Sequence, residues 1–142
     1  MENLMRVHGW KFQDASLLLL RLVVAAVFLY AGAAKWAFWS TPLPGMSDVM
    51  WNLTRFLSIV EPLGALALIL GFLTRWAAAG LAIIMLGAIF ILEFTMQTNF
   101  FTSPAGIGWD YNLLLLANCL ALLSFGAGKW SLDAVKRNYR SL

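Results

Sequence analysis

Lys35, Glu61, Glu93 and Asp110 are the charged side chains of this sequence best placed for chemistry, because each borders a long apolar run. A lysine near three acids can hold an anion or a polarised oxygen, and a carboxylate kept beside it, Glu61 or Glu93, can take up and return a proton. Other chemistries have few residues to draw on. The single cysteine, Cys119, leaves no disulfide, no CxxC pair and no iron–sulfur cluster within the chain. The single histidine, His8, excludes a bis-histidine haem, and the scattered methionines offer no ligand set, so no metal site is expected. Electrons would have to travel on a bound cofactor such as a quinone, or through a partner protein.

Composition decides what can position these residues. Of 142 residues, 61% are hydrophobic and 12% charged, whereas a soluble domain carries about a quarter charged residues. The chain reads as an integral membrane protein of one domain, residues 1–142, because its apolar runs leave only short connections. A hydrocarbon core about 30 Å thick needs roughly 20 helical residues, which places spans at about 16–38, 60–74, 76–97 and 110–127. The expected fold class is therefore all-α, a four-helix membrane bundle. Glu61-Pro62 reads as the opening of helix two, since proline and an acid both suit a helix amino terminus. Gly71 and Thr74-Arg75 mark its far end, so helices two and three form a tight antiparallel hairpin. Before Glu61, Ser47 is a plausible cap, and Met46, Val49, Met50, Leu53, Phe56 and Leu57 recur opposite Asp48, Asn52 and Arg55. That pattern predicts a short interfacial helix between helices one and two.

Helical phase then organises the charges. Arg21 and Lys35 lie within roughly 40° of one another on helix one and about 21 Å apart along its axis. Glu61 and Arg75 repeat the spacing on helix two, with Gly64, Leu68 and Gly71 between them. Because the helices alternate in direction, Lys35, Glu61, Glu93 and Asp110 gather at the outer end, while Arg21 and Arg75 lie at the inner end as structural charges. Helix amino termini stabilise Glu61 and Asp110, so Glu93 is expected to be the acid that depends on Lys35. Arg21, about one turn inside the inner end, is expected to snorkel its guanidinium to water or phosphate. Asn118 shares a face with Tyr111 and Phe125 and is expected to make an interhelical hydrogen bond; Cys119 reads as apolar filler.

Orientation follows from the basic residues outside the spans. Arg6, Lys11, Arg75, Lys129, Lys136, Arg137 and Arg140 fall on one side and Arg55 on the other, which puts both termini in the cytoplasm. The net charge of +3 is thus a topology signal, and no nucleic-acid-binding pattern accompanies it. Trp10, Trp36, Trp39, Trp51, Trp76, Trp109 and Trp130 cluster near span ends as an aromatic belt. Signal-peptide cleavage after Ala31-Gly32-Ala33 is disfavoured, because Arg21 interrupts the apolar run and three further spans follow.

The runs LLLLRL and AGAAKW, then EPLGALALILGFLTR, and finally GWDYNLLLLANCLALLSFGAGKWSLD together resemble the DoxX family of small bacterial and archaeal membrane proteins. Arg21, Lys35, Glu61, Gly71, Arg75, Tyr111, Asn112, Gly128 and Lys129 match the family pattern. The resemblance implies a compact four-helix bundle in a bacterial or archaeal cell membrane. It also implies a link to quinone-coupled oxidation, notably to the membrane subunit of thiosulfate:quinone oxidoreductase. Tyr111 and Asn112 thereby join Lys35, Glu61, Glu93 and Asp110 as candidate ligand-binding residues.

Two functional classes remain open on these residues. In one, the outer cluster is a quinone or small-anion site of an electron-transfer assembly, with Glu61 or Glu93 exchanging protons and Lys35 holding an oxygen or anion. In the other, the charges only pin helices together in a scaffold or assembly factor for a membrane oxidoreductase. A pore or transporter is less favoured, since no inverted repeat or broken helix is evident. The partners in either class are the lipid bilayer, oxidoreductase proteins or a second copy of the chain, and not nucleic acid.

Overall fold

The computed structural model describes residues 2–139, with side chains described from Phe12 onward. Arg140 and the side chains of Arg6, His8, Trp10 and Lys11 lie outside the described residues. Helix α1 covers Glu2–Lys35 and runs into one 3₁₀ turn, Trp36–Phe38. Helix α2 covers Asp48–Leu70, and α3, Thr74–Phe90, closes in a π turn, Ile91–Thr95. Helix α4 covers Asp110–Phe125, and a short α5 covers Leu132–Tyr139. Among the described residues, three stretches are long and apolar enough to cross a membrane, Phe12–Phe38, Asp48–Leu70 and Thr74–Thr95, and α4 is a shorter apolar helix.

All four long helices contribute to one core. Val24 and Phe28 of α1, Ala65 and Leu68 of α2, Leu81 and Met85 of α3, and Leu115, Cys119 and Leu122 of α4 are buried together. The outward faces are just as apolar, with Leu19, Val23, Leu66, Ile83 and Leu114 all exposed. Such a surface would adhere in water but is the solvated surface in a bilayer. Helix α1 packs chiefly on α2, and α3 chiefly on α4.

The largest departure from the sequence reading is in α2. Ser47 caps it, its hydroxyl accepting from the Met50 N–H at 3.3 Å, but the helix then runs unbroken to Leu70. The expected interfacial helix is the first turns of α2, and Glu61-Pro62 lies well inside the helix. A proline there removes one N–H and strands the carbonyl four residues earlier. That carbonyl is Ser58, and the Trp36 indole donates to it at 3.0 Å. Gly32 supplies the room: a β-carbon at this position would overlap the Pro62 ring. One face of α1 thus repairs the defect in α2, which lets the helix continue through the proline.

The α2–α3 hairpin is as tight as expected. Gly71 adopts the left-handed conformation (φ 64°), which closes α2 through the carbonyls of Ala67 and Leu68. Leu73 is also left-handed (φ 48°), and α3 has no cap from its own N-terminal residue. The Asp133 carboxylate provides one from beyond α4, accepting from the N–H groups of Leu73 at 2.8 Å and Thr74 at 2.9 Å.

Candidate functional site

At the end of the bundle that holds Lys35, the last turn of α1 faces the middle of α2. Lys35 Nζ donates to Glu61 Oε2 at 2.6 Å and to the Ala31 carbonyl at 3.2 Å. The two side chains are unequally covered: Lys35 is 25% exposed and Glu61 3%. Lys35 therefore neutralises Glu61 from the more exposed side, a charge-assisted contact. The expected pairing of Lys35 with Glu93 is replaced by this one. Because α2 continues through Pro62, Glu61 has no helix terminus to stabilise it, and the neighbouring lysine takes that role. Glu93 sits in the π turn, exposed and without a cation partner among the described residues.

A cavity of about 590 Å³ opens beside this pair. Phe28, Leu57, Ile84, Ile91, Leu92 and Leu115 give it apolar walls drawn from α1, α2, α3 with its π turn, and α4. Its polar groups are few: the Lys35–Glu61 pair, Thr54, Tyr111 and Asn112. Phe56, Ile83 and Gly87 line it and are exposed, so it communicates with the hydrocarbon side. Lys35, Glu61, Tyr111 and Asn112 thus share one cavity, whereas Glu93 and Asp110 are not among its lining residues. Asp110 instead orders the preceding loop, its Oδ1 accepting from the Thr102 hydroxyl at 2.8 Å and the Thr102 N–H at 3.1 Å. Thr54 went unnoticed in the sequence because its hydroxyl looks like an ordinary helix substituent; it donates to the Met50 carbonyl.

The opposite end of the bundle gathers the remaining motif residues. Arg21 is 1% exposed and donates to four backbone carbonyls: Leu68 at 2.8 Å, Ile69 at 3.1 Å, Ala127 at 2.6 Å and Trp130 at 2.9 Å. The snorkelling expectation is therefore corrected. The loop after α4 folds back over α1, and its carbonyls join the orphan acceptors at the end of α2, giving the planar guanidinium several partners. Gly71 lies so close to Ser131 that a β-carbon on it would overlap the serine. Gly128 is left-handed (φ 74°), and the neighbouring Lys129 N–H donates to Asp14 at 2.9 Å. Arg75, exposed, donates to the Ser124 carbonyl at 3.1 Å. Arg21 and Arg75 thus both spend donors on backbone carbonyls of other segments. Asn118 is partly buried on α4, but its amide makes no hydrogen bond among the described residues, contrary to expectation. Cys119 is fully buried in the core, as its reading as filler requires.

An all-helical chain with an apolar exterior, membrane-length helices and a buried ion pair beside a lipid-facing cavity is an integral membrane protein. It belongs to the DoxX family, whose sequence profile matches residues 16–93. The matched stretch contains Arg21, Lys35, Glu61, Gly71 and Arg75, and it ends at Glu93. A protein of Haemophilus influenzae, named only as uncharacterized, is 32% identical over 124 residues, spanning 87% of this chain and 92% of that protein. No solved structure matches the chain significantly.

Proposed function

We propose that this DoxX protein is a quinone-binding membrane subunit of an electron-transfer assembly, and that the outer cavity is its quinone site. The observation that carries this reading is an apolar cavity of about 590 Å³ whose few polar groups include a hydrogen-bonded pair of a buried Glu61 and a half-buried Lys35. The residues suit the group. A quinone needs apolar walls and donors for its oxygens; Lys35, Tyr111 and Asn112 can donate, and Glu61 can exchange protons. Bound there, the quinone would supply the two-electron chemistry that the chain's own side chains lack. Lys35 keeps Glu61 compensated inside the membrane, the apolar walls exclude water, and access from the lipid side suits a hydrophobic ligand. Electrons reach this site from an oxidoreductase partner protein.

In this reading α4 is a fourth span, and both termini face the cytoplasm of a bacterial or archaeal cell. The support is the collection of Arg75, Lys129, Lys136 and Arg137 at the end of the bundle that holds the α2–α3 turn. Reporter fusions after residue 142 and within residues 99–108 should report opposite sides of the membrane.

Gly87 allows a direct test of the site. It lines the cavity, and no atom stands within 4 Å of the position a β-carbon would take. Gly87→Leu should fold normally while filling the cavity. The wild-type protein should bind a short-chain quinone in nanodiscs, and Gly87→Leu should weaken binding about tenfold or more, equivalent to ~1.4 kcal/mol. Equal binding by both, or none by the wild type, would overturn the proposal. One observation favours the scaffold reading instead: Lys35 and Glu61 already satisfy one another. In that case Gly87→Leu leaves partner assembly intact and no quinone co-purifies.

A further inference from the structure

A second cavity, of about 560 Å³, lies at the opposite end of the molecule, between α1, the start of α3, the end of α4 with the loop after it, and α5. Thr74 lines it, fully buried, and its hydroxyl oxygen has no hydrogen-bond partner among the described residues. Buried hydroxyls are almost always paired, so an orphan one in a cavity wall points to a ligand. Arg75, Lys129 and Arg137 bring three cations to the same cavity. Two carboxylates also line it, but their oxygens are engaged. Asp133 accepts from Leu73 and Thr74, and Asp14 accepts from the Lys129 N–H with one oxygen and pairs with the Lys129 ammonium at 3.9 Å with the other. The second and third residues of α3, Arg75 and Trp76, add N–H groups with no acceptor one turn earlier in the helix. Hydroxyl, guanidinium and helix-terminal donors lining one space suit a phosphate group.

The surroundings favour a lipid as the source of that phosphate. Trp76 and Phe125 line the cavity and are 79% and 65% exposed, as rings at a membrane boundary are. Beside them, α5 carries Leu132, Val135 and Tyr139 on an exposed apolar stripe with Lys136 and Arg137 between, the pattern of a helix lying in the interface. We infer that this cavity binds the headgroup phosphate of an anionic phospholipid, with the Thr74 hydroxyl and the Arg75 and Arg137 guanidiniums as its donors. This inference does not rest on the quinone reading.

The test uses the full chain in nanodiscs of phosphatidylcholine containing a minority of phosphatidylglycerol, with native mass spectrometry to count retained lipids. Thermal unfolding in detergent with added phosphatidylglycerol, phosphatidylcholine or inorganic phosphate gives a second readout. Phosphatidylglycerol should be retained preferentially and should raise Tm. Arg137→Gln, at an exposed position, should weaken that preference about fivefold, the share of one cation near an anionic surface. Thr74→Val should be at least as stable as wild type without lipid, because it removes an unpartnered hydroxyl, yet should lose phosphatidylglycerol preference. If Thr74→Val fails to fold, Arg137→Gln decides. No preference for phosphatidylglycerol, or a preference unchanged in both variants, would overturn the inference. Stabilisation by inorganic phosphate equal to that by phosphatidylglycerol would overturn the lipid assignment and leave a soluble-anion site.

Discussion

Removing Lys35 should harm the protein more than removing Glu61, although they form one ion pair. Breaking a buried pair by deleting one partner costs about 3–5 kcal/mol, because the survivor is left uncompensated. In Lys35→Met the survivor is Glu61, whose side chain is only 3% exposed, so that range applies and the loss should be at least about 3 kcal/mol. In Glu61→Leu the survivor is Lys35, already 25% exposed on a flexible stem that can lift its ammonium to water, so the loss should be about 1 kcal/mol. The double variant leaves no buried charge and should fall within ~1 kcal/mol of wild type. The coupling is then about 3 kcal/mol, far beyond the ~0.5 kcal/mol within which independent sites add. Reversible unfolding of the four proteins in mixed micelles measures it, with Glu93→Leu as a control expected to be neutral and uncoupled to Lys35. A double variant that loses the sum of the two single losses would refute the reasoning.

Arg21→Lys should destabilise the protein by about 3 kcal/mol, since an ammonium cannot span acceptors at the end of α2 and in the loop after α4, and at least two charge-assisted hydrogen bonds are lost. Unfolding titrations and proteolysis of the 126–131 loop report this; wild-type behaviour would restore the snorkelling expectation. Gly32→Ala should cost about 1–3 kcal/mol by forcing a β-carbon into the Pro62 ring. Adding Pro62→Ala should recover most of that loss, because it frees the space and returns the missing N–H; a Gly32→Ala variant of wild-type Tm would show that the contact is not tight.

Much of this protein was legible because a bilayer imposes one-dimensional constraints. Backbone groups in hydrocarbon must be paired within the segment, so apolar runs of sufficient length are helices whatever surrounds them. The α2–α3 hairpin, the Ser47 cap and Gly71 as the end of α2 were readable on the same local grounds. Helical phase also brought Lys35 and Glu61 level at one end, where they share a cavity. Local rules failed where a distant segment changed the balance. Pro62 reads as a helix start until Trp36 supplies the donor for the Ser58 carbonyl and Gly32 the space for the ring.

By itself, then, the amino-acid sequence determined the class of solvent, the predominance of helix, the hairpin and the level at which Lys35 and Glu61 meet. Each depends on spacing along one helix or on the sign of short-range preferences. Only the tertiary structure decided the partners. Phase gives a residue's direction to within tens of degrees and its depth to within a turn, which is too coarse to choose between Glu61 and Glu93 for Lys35. It cannot foresee that the loop carrying Ala127 and Trp130 returns over α1 to bury Arg21, or that Asp133 reaches back to cap α3. Those choices belong to contacts between segments far apart in the chain, where hydrogen-bond geometry is decided within tenths of an ångström.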